Sequence, residues 1–183
     1  MRAASLPLPI LVSLASFALY GAVADAPGFL FPEVPRYGGV VALPEAAEQP
    51  RSGMKLVFDI VSDTKPEEVN KGLESVARYL NLNAQAGHKP SDVKLALVLH
   101  GNSTKAAMHD AAFARHTSAA KNPSTELIRE LKRRGVELFV CGQSLARNKF
   151  PVADVAPEFT VAASALTVNA NRQQDGYSYV AIH

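Results

Sequence analysis

Short apolar runs separated by helix-length segments constrain this chain more than any other feature. Residues 55–61 (KLVFDIV), 93–99 (VKLALVL) and 136–140 (VELFV) are brief and rich in β-formers. Such runs read as parallel strands covered on both faces. The segments between them carry a helical period. Val69, Leu73, Val76 and Leu80 mark one face of a helix that Pro66 opens after Thr64. Glu67 and Glu68 suit its first turn, and Gly87 and Pro90 end it. A short helix is expected over 106–115. Another begins at Pro123, turns Leu127, Ile128 and Leu131 inward, and stops at Gly135. A short helix over 144–149, a strand over 160–163, a helix over 165–174 and a strand over 177–182 follow. Strands alternating with helices form βαβ units. The expected fold class is α/β: a three-layer α/β/α sandwich with a mainly parallel sheet of about five strands, spanning residues 54–183.

The segment before this domain has a different character. Arg2 is the only charge among the first 24 residues, an apolar stretch runs from Leu6 to Leu19, and Ala22-Val23-Ala24 is a small-x-small pattern. This is the layout of a cleaved signal peptide, with the cut after Ala24 and a periplasmic or secreted product. Pro7 and Pro9 interrupt the run, which is shorter than the roughly 20 residues a spanning helix needs. Residues 25–53 read as a Pro-rich extended arm, with Pro27, Pro32, Pro35, Pro44 and Pro50 barring a long helix. Gly38-Gly39-Val40-Val41 is a candidate short strand. Phe29, Phe31 and Tyr37 give the arm something to pack with, on its own or a neighbouring subunit.

The chain has a single cysteine, which excludes an internal disulfide and a Cys-rich metal site. Its net charge of +2 gives no strong pull toward nucleic acid or an anionic membrane. No dinucleotide, P-loop or hydrolase-elbow motif is present, and no cofactor or metal is expected. His109 and His116 lack further ligands. Arg129, Lys132, Arg133 and Arg134 read as a solvated helix face.

In open parallel sheets, chemistry gathers beyond the carboxyl ends of the strands. Three such ends are polar: Ser62-Asp63-Thr64, His100-Gly101-Asn102-Ser103-Thr104 and Cys141-Gly142-Gln143-Ser144. His100 and Cys141 would share a crevice if their strands are neighbours. Gly142 permits close backbone approach there, and Ser144 is a candidate cap for the next helix. A cation at His100 or Arg147 would lower the thiol pKa, whereas burial against Phe139 and Val140 would raise it. Cys141 is then either a reactive thiol or an inert core residue. The turn at His100 could seat an anion on its N–H groups, or be an ordinary capped turn, the simpler reading. A cysteine hydrolase would need a carboxylate to orient His100, and the sequence places none.

The segment Gly135-Val136-Glu137-Leu138-Phe139-Val140-Cys141-Gly142-Gln143-Ser144-Leu145, with Arg147 after it, resembles the DsrE/DsrF-like family. Leu99-His100-Gly101 and Gln174-Asp175-Gly176-Tyr177 extend the resemblance, and Pro35-Arg36-Tyr37-Gly38 is similar to the leader of exported members. The resemblance implies an α/β/α fold, assembly into homo-oligomers, and a cysteine that carries a persulfide between a sulfur donor and an acceptor protein. It places that role on Cys141; the strand-end reading adds His100 beside it and Gly101, Asn102, Gln143, Ser144 and Arg147 as possible support. The expected function is an exported sulfur carrier or thiol-redox protein. The alternative is a non-catalytic oligomeric binding module of the periplasm.

Overall fold

A computed structural model describes residues 28–183; the expected signal peptide, residues 1–24, lies outside the described residues. Strand β1 (Lys55–Ile60) leads to helix α1 (Lys71–Gln85) and strand β2 (Lys94–Leu99). A 3-10 turn (Gly101–Ala107) and helices α2 (Asp110–His116) and α3 (Thr125–Arg133) precede β3 (Glu137–Cys141). Helix α4 (Gly142–Arg147), β4 (Thr160–Ala162), α5 (Ala165–Gln174) and β5 (Ser178–Ile182) complete the domain. The strand order is β4-β3-β2-β1-β5, and every pairing is parallel. The sheet is therefore wholly parallel rather than mainly so.

Alternation along the strands splits the core into two layers. Leu56, Phe58 and Ile60 of β1, with Leu95, Leu97 and Leu99 of β2, pack on α1 and α3 through Leu73, Val76, Leu80, Leu127, Ile128 and Leu131. Each fully buried side chain of this type contributes roughly 1.5–3 kcal/mol. On the other face, α5 covers Val57, Ala96, Val98 and Cys141 with Ala165 and Val168. Among the described residues a single helix covers that face, and Cys141 packs under its first turns.

Several local expectations shift. Helix α1 begins at Lys71, after an Asn70 cap whose Oδ1 accepts from Leu73 N at 3.1 Å, while residues 65–68 form only a turn. Asn70 is also fixed by Ser124 and Ser62, at 3.0 and 3.2 Å. These tertiary bonds outweigh the proline signal at Pro66. The helix expected over 106–115 is split at Met108, because Asn122 Nδ2 takes the carbonyls of Ala106 and Met108 out of helical use. Ser144 does not cap α4, which starts two residues earlier, with Cys141 in the cap position. The His100 turn is the ordinary capped kind, with Ser103 Oγ donating to Ile60 O and Thr104 Oγ1 to Gly101 O.

The arm lies on its own domain through residues 33–40. Asn81, fully buried on α1, accepts from Glu33 N and Val34 N and donates to the carbonyls of Tyr37 and Gly38, all at 2.8–2.9 Å. Arg134 adds contacts to Glu33 and Glu130, so it does not belong to a solvated face. Gly38 has φ +60, and a Cβ there would lie 2.3 Å from Arg78 N, so only glycine lets the arm sit this close to α1. The candidate strand at 38–41 reduces to one bridge, Leu30 with Val40.

Candidate functional site

The register of β2 and β3 pairs Leu99 with Val140, which sets His100 beside Cys141 at the carboxyl ends of neighbouring strands. Their side chains lie on the α5 face. Asp59, one step back on β1 and opposite Val98, shares that face. Strand pairing thus gathers a thiol, an imidazole and a carboxylate from three strands.

His100 Nε2 lies 2.7 Å from Asp59 Oδ1. The ring N–H is not ideally aligned on that oxygen, and at this distance hydrogen bonding and charge act together. Asp59 Oδ2 accepts from the Tyr179 hydroxyl at 2.6 Å. Burial pushes the Asp59 carboxyl up, but His100, Tyr179 and Asn169 together outweigh it and hold it at about 2. Asp59 in turn raises the His100 pKa above its ordinary 6.5, against the pull of burial, and the charge of Cys141 acts in the same direction. His100 is thus biased toward imidazolium.

Cys141 is 4% exposed. Burial pushes its thiol up, but the Ser144 hydroxyl and the N–H groups of Ser144, Ala165 and Gln143 favour the thiolate and leave the pKa lowered. Ser144 Oγ accepts from Gly101 N at 3.0 Å, which leaves the hydroxyl proton free to face the sulfur. Gly142 passes so close to β4 that a Cβ would lie 2.9 Å from Ala162 O. This approach brings the β3–α4 junction against the start of α5, where Ala165 supplies its N–H.

The other residues singled out from sequence separate into two groups. Gly101 and Ser144 join His100 and Cys141 through the bond between them. Gln143 is exposed and donates to Ala163 O at 3.3 Å, across the β4–α5 junction. Asn102 is exposed, and Arg147 is exposed at the far end of α4, away from the sulfur. His109 caps α2 and His116 contacts Asp154 at 3.0 Å, so the two do not converge. Among the described residues, no group of three His, Cys, Asp or Glu side chains is placed to hold a metal ion.

Asp59, Tyr179 and Asn169 escaped the sequence reading. A signal existed for Asp59, the lone acid inside the apolar run KLVFDIV. A buried carboxylate is costly unless partnered, so its presence there already implied a partner. It is the carboxylate that faces His100. A groove of about 610 Å³ lies elsewhere, between arm residues 41–51 and the C-terminal end of α1.

The sequence profile of the DsrE/DsrF-like family matches residues 55–182. No curated protein matches the chain. Among solved structures, MTH1491, a protein of unknown function from Methanobacterium thermoautotrophicum, is similar over 70% of this chain and 99% of its own, with 17% identity and a TM-score of 0.52. At that identity the likeness concerns the fold alone.

Proposed function

The chain belongs to the DsrE/DsrF-like family, and on that premise we propose that Cys141 is a carrier of sulfane sulfur. The observation that carries the reading is a thiol of lowered pKa next to an imidazole held by a buried carboxylate. The Cys141 thiolate attacks the outer sulfur of a donor persulfide. The donor's S–S bond breaks, and its thiolate leaves, taking a proton from the His100 imidazolium. Cys141 is then a persulfide. The acceptor thiol returns a proton to His100, its thiolate attacks the outer sulfur, and Cys141 departs again as thiolate. Sulfur moves without net oxidation. At 4% exposure, Cys141 keeps a loaded sulfur away from bulky reductants.

The test is intact mass after incubation with a small-molecule persulfide. The expected result is a gain of one sulfur atom, lost on adding a thiol and absent in Cys141→Ser. Wild-type protein that stays at its unloaded mass overturns the proposal. Export belongs to the same reading, with the mature chain starting at Asp25, which N-terminal sequencing of the secreted protein reads directly. Donor and acceptor would then be periplasmic proteins.

The low exposure of Cys141 and the separate 610 Å³ groove favour one second reading, an oligomeric binding module. In that case Cys141→Ser leaves both function and assembly unchanged.

A further inference from the structure

Tyr179 stands on β5, at the edge of the sheet, and is 45% exposed. A tyrosine in such a place ordinarily turns its polar tip to water. Here the hydroxyl turns inward, 2.6 Å from Asp59 Oδ2. The opposite oxygen of the same carboxylate faces His100 at 2.7 Å, in a contact whose N–H is not ideally aligned. That contact alone does not fix which way the carboxylate points. We propose that Tyr179 is a positioning residue for Cys141, holding the Asp59 carboxylate in the rotation that keeps its other oxygen on His100.

The contacts run across four neighbouring strands. Tyr179 on β5 sets Asp59 on β1, Asp59 sets and charges His100 just after β2, and His100 supplies the cation beside the thiolate on β3. Removing the phenol oxygen leaves the carboxylate to His100 and Asn169 and lets it turn toward water at the open edge. His100 then loses its counter-charge, and the thiolate loses part of its support. The raised Tyr179 pKa, about 12, fits a phenol that stays protonated and donates throughout. Among the described residues, the titratable groups on this end of the α5 face are Asp59, His100, Cys141 and Tyr179. Helix α5 adds the uncharged Asn169. Arg172 and Glu137 pair with each other at 2.5 Å at the other end of α5.

The inference rests on Cys141 being the working thiol, and its test is independent of sulfur loading. The rate of iodoacetamide alkylation is measured against pH for wild type and Tyr179→Phe. The expected result is a midpoint moved upward, with alkylation near neutral pH about threefold slower, since a thiol pKa rise of about half a unit removes that share of thiolate. In an Asp59→Asn background the same change is expected to have no further effect, which a merely structural tyrosine would not produce. A Tyr179→Phe profile that superimposes on wild type, or moves downward, overturns the proposal. So does an equal shift in the Asp59→Asn background. If wild type takes up no sulfur while Tyr179→Phe still shifts the profile, the carrier reading fails and the positioning role stands.

Discussion

Asp59→Asn is expected to destabilise the protein by about 2 kcal/mol at neutral pH and to slow Cys141 alkylation about tenfold. The stability figure follows from a carboxyl held at about 2 against an ordinary 3.8. The amide keeps the shape, so the loss is that of charge and not of packing. The sign follows from linkage. Asp59 has a depressed folded pKa, so its contribution is present above the ordinary 3.8 and is lost as pH falls through about 2. Urea midpoints of wild type and variant should therefore converge in acid and diverge at neutral pH. His100 reports the same pair from the other side. Its folded pKa is raised, so its share is complete below its ordinary 6.5 and is lost as pH rises through the folded value. The two shares describe one interaction and are not summed. The alkylation effect arises because an uncharged amide in place of the Asp59 carboxylate no longer favours imidazolium. A thiol pKa about one unit higher leaves about a tenth of the thiolate. An Asp59→Asn protein as stable and as reactive as wild type would remove the carboxylate from the site.

Asn81→Ala is expected to release the arm and cost about 3 kcal/mol. One buried side chain satisfies two N–H groups and two carbonyls of residues 33–38, all within 2.9 Å. Its loss leaves four arm groups without partners, each costing roughly 1–3 kcal/mol if it stays dry. The arm escapes that cost by lifting, which limits the total to what docking contributes. Val34, fully buried against the domain, loses its cover in the same event. The readout is limited proteolysis, with cleavage in the 28–53 segment of the variant under conditions that leave wild-type protein intact. Cys141 alkylation should not change, since the arm lies on the α1 and α3 face and the thiol on the other. An arm equally resistant in both proteins would mean that the bonds at Asn81 are dispensable.

The sequence carried the strands and their type because the pattern is local. KLVFDIV, VKLALVL and VELFV are short, apolar and β-rich, and parallel strands buried on both faces need nothing else to be recognised. It also placed His100 and Cys141 at strand ends, since a strand's end is where its apolar run stops. Helix starts were less legible. Pro66 signals a start, yet Asn70 provides it, because Ser62 and Ser124 come from other parts of the chain to hold Asn70. Asp59 had a visible oddity but no visible partner. Its partners sit 41 and 120 positions away, just after β2 and on β5.

The sequence by itself thus determined the α/β class, the apolar strands and the lone thiol at a strand end, all properties of neighbouring residues. The tertiary structure decided which groups meet that thiol. Strand order and register place β1 between β2 and β5, and only there can one carboxylate hold an imidazole with one oxygen and a phenol with the other. A buried charge is tolerable only when its partners arrive, and pairing across the sheet brings them.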